Sequence, residues 1–198
     1  MQLIRHEEVD PTTQDNRVAV RMDWATFEAF LIARGDTGPR FTFLDGVLEL
    51  MSPSLNHELI GTNIGRLLEL WSLEYEVELI GVGSLTIKKS RRRAGVEPDE
   101  CYFVGPIGNR TTPDLAIEVV WTSPLLDKLE VYRRLAVREV WVWEGGNITP
   151  WLLGADGYTK ARKSRVLPEL DLPMFTKYAN RVDQYAAAKA YRHALRRS

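Results

Sequence analysis

The segment Leu115–Trp121 reads LAIEVVW, six apolar residues around a single acid, Glu118. Short apolar runs of this kind form buried strands. A carboxylate inside one is costly unless it is paired or bound to a metal. The sheet this chain builds must therefore bring Glu118 a partner, or leave the strand at an edge with Glu118 in water. Side chains alternate along a strand, so Asp114, Ala116, Glu118 and Val120 share a face. Asp114 lies about 13 Å from Glu118 at the rise of a strand, too far to share one cation with it. Pro113-Asp114 reads instead as a turn that starts the strand. Pro98-Asp99 stands ahead of the preceding run, Glu100–Val104, and Asp99 lies beside Glu118 if the two strands are neighbours. Two carboxylates and a nearby main-chain carbonyl make a hard, oxygen-rich site suited to Mg2+ or Mn2+.

The surrounding pattern predicts an α/β (α+β) chain with a mixed sheet flanked by helices and additional β-hairpins. Asp23 caps a helix over WATFEAFLIAR. Asp45-Gly46 separates Phe41–Leu44 from Val47–Met51, a hairpin signal. A long helix is expected from Asn56, its N-cap, to Glu76, with an apolar stripe through Ile60, Ile64, Leu67, Leu68 and Trp71. Strands follow at Val77–Ile80, Leu85–Lys88, Glu100–Val104 and Leu115–Trp121. A helix then starts at Pro124, in its first turn, and runs to Val137. A strand over Arg138–Trp143, a hairpin of Ile148–Leu153 and Tyr158–Arg162, and a helix over Arg181–Arg196 complete the chain. Residues 1–20 are polar and read as an N-terminal arm ahead of one domain, 21–198.

The chain has 198 residues, long enough for one such domain. Its only cysteine, Cys101, rules out an intrachain disulfide framework and a cysteine-rich zinc site. No run has the length of a membrane span or a signal-peptide core, so a cytoplasmic protein with no membrane partner is expected. The net charge of −1 lacks the basic excess of a dedicated nucleic-acid binder, so any such contact must be local. The best local candidate is the basic loop with Lys88, Lys89, Arg91, Arg92 and Arg93, weighed against plain solvated charge. A glycine-rich phosphate loop, a G-x-S-x-G elbow and a metal-binding histidine pair are all missing, which argues against the common small-molecule enzymes.

Several stretches resemble one family: FLDGVLELMSPSLNHELIG, GVGSLTIKK, GVEPDECYFV, TPDLAIEVVWTSPLLDKLEVYRRLAVREVWVWEGG and LPELDLPMF. Together they cover most of residues 40 to 175 in order. The chain is similar to the Uma family of restriction endonucleases, within the PD-(D/E)xK superfamily and its restriction-endonuclease-like fold. In that signature the acids are Asp99 and Glu118, but the lysine position holds Val120. The resemblance implies that the lysine has moved to the next helix, as Lys128. Its spacing with Tyr132 and Leu135 aims it to the core side, against the alternative of a side chain that snorkels outward. The resemblance also implies that the Val119 carbonyl ligates the metal. His57 joins the set from the start of the long helix, as a ligand, a positioner of water or a structural cap.

What the resemblance implies is metal-dependent hydrolysis of phosphodiester bonds in DNA, with Asp99, Glu118, Lys128 and His57 as catalytic residues. The alternative is a member of the same fold that binds nucleic acid or a protein without cutting, which Val120 and the neutral charge favour. A homodimer is expected, paired through the strand EVWVW or the N-terminal arm.

Overall fold

The computed structural model describes residues 2–6, 10–35, 37–124 and 126–197, the first of these segments by its backbone alone. The chain opens with two paired strands, β1 (Gln2–His6) and β2 (Asn16–Arg21). The expected arm is thus part of a sheet. Within β2, Ala19 and Val20 are buried and Val18 is half-buried, a short apolar run that its polar flanks conceal, while Arg17 is buried through ion pairs. Helix α1 (Trp24–Arg34) follows, capped by Asp23, whose side chain accepts from the Thr26 amide at 2.8 Å. Strands β3 (Arg40–Leu44) and β4 (Val47–Ser52) form the expected hairpin. Asp45 and Gly46 both take positive φ at its turn, 47° and 88°, which suits the twist of the strands they join.

Helix α2 (Leu55–Glu74) begins earlier than Asn56. Its cap is Ser54, whose hydroxyl accepts from the His57 amide. Four short strands come next: β5 (Leu79–Gly81), β6 (Ile87–Lys89), β7 (Ala94–Val96) and β8 (Glu100–Val104). β9 (Leu115–Val120) carries Glu118. Helix α3 (Lys128–Leu135) starts at Lys128 rather than Pro124, because Asp127 supplies the cap by accepting from Glu130 at 3.1 Å. β10 (Glu139–Glu144), β11 (Asn147–Gly154) and β12 (Gly157–Lys160) follow as expected, within two residues. Helix α4 (Leu172–Ala179) had no counterpart in the sequence reading. It hides in a proline-rich stretch, with Asp171 as cap and Pro173 in the first turn, where a missing N–H costs nothing. α5 (Gln184–Leu195) closes the chain.

The strands form two sheets, in the orders β1-β2-β4-β3-β7-β6 and β12-β11-β10-β9-β8-β5. The first is antiparallel throughout. The second is mixed, because β9 and β10 run parallel across α3. One face of this second sheet, with Leu115, Ile117, Val119, Trp141 and Trp143, packs on α2, α4 and α5. The other face carries Cys101, Ala116 and Val140 and packs, with Ala94 and Val96 of the first sheet, around Val131, Tyr132 and Leu135 of α3. α3 is thus held between the two sheets.

β9 is an interior strand and Glu118 is 3% exposed, so the edge-strand reading of its acid is excluded. β10, the EVWVW strand expected to pair two subunits, lies between β9 and β11 and has no free edge for a second copy. Among the described residues no helix is long and apolar enough to cross a membrane.

Candidate active site

The antiparallel register pairs Glu100 of β8 with Ile117 of β9. Continued by one residue, it sets Asp99 opposite Glu118, as the sequence argument required. Asp99 Oδ2 accepts a hydrogen bond from the Val119 amide at 2.7 Å. A strand residue presents its N–H and C=O to the same edge, so the Val119 carbonyl faces Asp99 as well. From the N-terminus of α3, Lys128 Nζ donates to Glu118 Oε2 at 2.5 Å. Tyr132, one turn on, donates its hydroxyl to Glu118 Oε1. The helical spacing thus aims both side chains at one carboxylate.

His57 enters from the first turn of α2. Its Nε2 lies 3.0 Å from Asp99 Oδ2, and its Nδ1 lies 3.1 Å from Asp15 Oδ2. Arg40 of β3 places Nε 3.5 Å from Asp99 Oδ1 and donates to Glu58 at 2.8 Å. Asp99, Glu118, Lys128 and His57 therefore meet in one buried cluster.

A second layer holds this cluster in place. Asp15 accepts from the Ser54 amide at 2.9 Å, and its own amide donates to Thr122 Oγ1 at 3.2 Å. Arg17 bridges Asp15 and Glu49. Glu49 Oε2 accepts from the Leu126 amide at 2.9 Å. The N-terminal segment so ties the start of α2 to the loop that leads into Lys128. Asp15, Arg17, Arg40, Glu49 and Tyr132 were absent from the sequence-based site. Glu49 carries the signal that exposed Glu118, a charge inside a short apolar strand, whereas Arg40 stands at the very start of β3 and carries no such signal.

Charge and burial oppose each other throughout. Burial works against the His57 imidazolium, but hydrogen bonds to Asp15 and Asp99 overcome it and raise the pKa to about 9. Burial opposes the Asp99 carboxylate too, yet His57, Lys128 and Arg40 hold its pKa well below the usual range. For Glu118, burial pushes the pKa up; Lys128 resists and Asp99 adds to the push. Lys128 is opposed by burial, but Glu118 and Asp99 raise its pKa and keep it charged.

The donor set fits a hard divalent cation. It offers two carboxylates and a main-chain carbonyl, and Mg2+ in particular is commonly held by one or two carboxylates with waters filling the rest. Asp99 Oδ1 is buried and accepts no hydrogen bond, which leaves it a lone pair to offer. Among the described residues no group of three His, Cys, Asp or Glu side chains could hold a metal ion, so the fit rests on the two carboxylates together with the Val119 carbonyl.

Other expected residues fall elsewhere. Asp114 serves the far end of β9, accepting from the Val104 amide at 2.9 Å and pairing with Arg110 and Arg138. Its structural role holds. The basic loop is not brought to the acids. Lys89 Nζ donates to the Leu135 carbonyl at 2.7 Å, at the C-terminal end of α3, about 10 Å along the helix from Lys128. Lys88 pairs with Glu28, and Arg91, Arg92 and Arg93 lie on the exposed turn between β6 and β7. This loop follows β6 at the edge of the first sheet, which carries it away from β8 and β9.

Glu100 follows Asp99 and faces Gly65 of α2. Burial, against Arg40 and with help from Glu69 and Asp99, raises its pKa to about 7. A raised carboxyl pKa favours the fold at low pH, and that contribution is lost as pH rises from about 4.5 to 7. Glu100→Gln is therefore expected to stabilise the protein at pH 8 by about 1–2 kcal/mol, discounted for partial exposure. At pH 5 the gain should nearly vanish. Urea midpoints at both pH values check this.

A mixed sheet with two acids on adjacent strands and a lysine from the following helix places the molecule in the restriction-endonuclease-like class. The chain belongs to the Uma2 family, whose profile, described as "Putative restriction endonuclease", matches residues 24–180. Among solved structures it is similar to a "putative nuclease belonging to DUF820" from Anabaena variabilis ATCC 29413. That similarity has a TM-score of 0.49 at 13% identity and covers 74% of this chain and 96% of that one. No curated protein matches the chain.

Proposed function

We propose that this protein hydrolyses phosphodiester bonds in DNA with a Mg2+ or Mn2+ ion held by Asp99, Glu118 and the Val119 carbonyl. The observation that carries this reading is the meeting of Asp99 and Glu118 across β8 and β9 with Lys128 on Glu118. A bound ion would polarise the scissile phosphate and lower the pKa of an attacking water. Lys128 supplies fixed positive charge where charge grows on the phosphate in the transition state. Tyr132 fixes one Glu118 oxygen, and His57 fixes Asp99. A cavity opens on Glu118, Lys128 and Tyr132 and gives a substrate a way in.

The second reading, binding without cleavage, draws on the fact that both Glu118 oxygens already accept a hydrogen bond. Labelled DNA incubated with Mg2+, Mn2+ or EDTA separates the two. Cleavage is expected with either metal and none with EDTA, and Asp99→Asn should lose at least about a hundredfold in rate. Calorimetric binding of Mn2+ without any cleavage would instead support the binding-only protein. Cleavage undiminished in EDTA would end the metal assignment.

A further inference from the structure

The cavity on the α3 face of the second sheet reaches the site at Glu118, without Asp99 in its lining, and extends well beyond it. Its volume is about 420 Å3, with Glu118, Lys128 and Tyr132 at one end and Thr149, Trp151 and Lys160 at the other. The register shows that these residues share a face. Glu118 is opposite Val142, and Val142 is opposite Thr149. In the next row with the same orientation, Ala116, Val140, Trp151 and Lys160 are opposite one another in turn. At the usual strand spacing the backbone of Thr149 lies about 10 Å from that of Glu118, and Lys160 about 16 Å. Lys160 Nζ stands 5.0 Å from the centroid of the Trp151 ring.

An indole with an ammonium beside it is the equipment of a single-strand site, where bases meet aromatic rings and phosphates meet cations. A surface cation–π pair is its plain alternative. What distinguishes this pair is the continuous cavity joining it to Glu118. The cavity has the size of a small-ligand pocket, within about 300–1,000 Å3. A duplex, whose major groove alone is about 12 Å wide, does not enter such a space. A single nucleotide does, if unpaired or turned out of the stack. The ionisable groups lining the cavity are Glu118, Asp127 and Glu144 against Lys128 and Lys160, an acidic excess. A phosphate is therefore expected to enter only when a divalent cation is present.

We propose that this cavity is the subsite for an unpaired nucleotide next to the scissile phosphate, with its base against Trp151 and its phosphate on Lys160. The proposal rests on the nuclease reading and narrows its substrate to DNA with a single-stranded or flipped-out nucleotide. Fluorescence anisotropy with a labelled oligothymidylate and a duplex of equal length, in Ca2+ and in EDTA, tests it. The whole protein should bind the single strand at least tenfold more tightly than the duplex, and only with Ca2+. Trp151→Ala should weaken single-strand binding about tenfold, the effect of one lost base stack, and Trp151→Phe should recover most of it. Lys160→Ala should weaken binding and reduce its salt slope by about one. Equal affinity for the duplex, no binding by the unmodified protein, or unchanged affinity in a folded Trp151→Ala variant would overturn the proposal. Hydrolysis of bis(p-nitrophenyl) phosphate by the unmodified protein in Mn2+ separates the two readings, since that substrate has no base. Hydrolysis without any Trp151 effect on DNA binding sinks the subsite alone. A Trp151 effect without hydrolysis of either substrate sinks the nuclease reading alone.

Discussion

A Glu118→Gln, Lys128→Met double variant is expected to be more stable than the less stable of its two parents, while all three variants lose cleavage. Glu118 is 3% exposed and Lys128 sits on it at 2.5 Å, so either single change leaves a charge buried without its partner. Breaking such a pair typically costs about 3–5 kcal/mol. Removing both charges together avoids that penalty, so the coupling energy in the double-mutant cycle should reach about 2 kcal/mol. The two singles should differ. In Glu118→Gln the ammonium still feels Asp99, which softens its loss. In Lys128→Met the Glu118 carboxyl, already pushed up by burial, escapes by taking a proton, so this variant should be relatively less destabilised at pH 5 than at pH 8. Guanidinium unfolding gives the stabilities and a labelled-DNA assay the rates. Additive stabilities would show that the pair is not an isolated buried ion pair. Cleavage at the unmodified rate in either single variant would remove the residue it changes from the chemistry, and in the double variant it would remove both.

The parts legible in the sequence are those governed by neighbours a few residues apart. The Asp45-Gly46 turn, the α1 cap at Asp23 and the strand containing Glu118 each rest on local sterics or alternation, and all three stand. The orientation of Lys128 was legible for the same reason, because Tyr132 lies one helical turn away. Where local rules compete, the sequence pattern alone does not decide. Pro124 and Asp127 are both plausible helix starts, and the capping hydrogen bond of Asp127 decides between them. Helix α4 begins within LPELDLPMF, where two prolines suggest a loop, although Pro173 occupies the one helical turn that tolerates it.

The second layer of the site was beyond that reach. Asp15 meets His57 across 42 residues, and Glu49 meets Leu126 across 77. No periodicity encodes such meetings; they follow from sheet order, which places β2 beside β4 and their ends over the start of α2. Residues 10–17 looked like an arm because Asp10, Thr12, Thr13 and Gln14 are polar and Pro11 interrupts them. Their polarity has another use. Asp15 and Arg17 are buried because they form hydrogen bonds and ion pairs within the site, and an isolated segment offers no such partners. The basic loop shows the converse. Five cations near Asp99 in sequence suggested a phosphate contact, but the path through β6 and β7 carries them to the far end of α3.

The same buried layer makes stability fall in alkali. With divalent ions removed by EDTA, the protein is expected to lose about 3 kcal/mol between pH 6.5 and pH 10 that a His57→Gln variant keeps. The His57 pKa rises from 6.5 to about 9 because Asp15 and Asp99 together outweigh burial. A histidine whose folded pKa is raised contributes its full stability below the unfolded value near 6.5. That contribution drains away as pH climbs through 9, and the difference of 2.5 pH units is worth about 3 kcal/mol. Glu100, with a pKa of about 7, has finished most of its change before pH 8, whereas Cys101, pushed up to about 12 by burial, begins to draw on stability at its unfolded value near 9, equally with and without the His57 imidazole. The difference between the unmodified protein and His57→Gln, in which the Cys101 contribution cancels, therefore isolates His57. Asp15→Asn removes one of the two carboxylates and should shrink the loss without abolishing it, which protects the test if His57→Gln folds poorly. Urea unfolding across the range, together with the imidazole titration by NMR, reads both quantities. A His57 that titrates near 6.5, or an alkaline loss identical in the unmodified and Asp15→Asn proteins, would mean that the Asp15–His57–Asp99 row does not hold a buried positive charge.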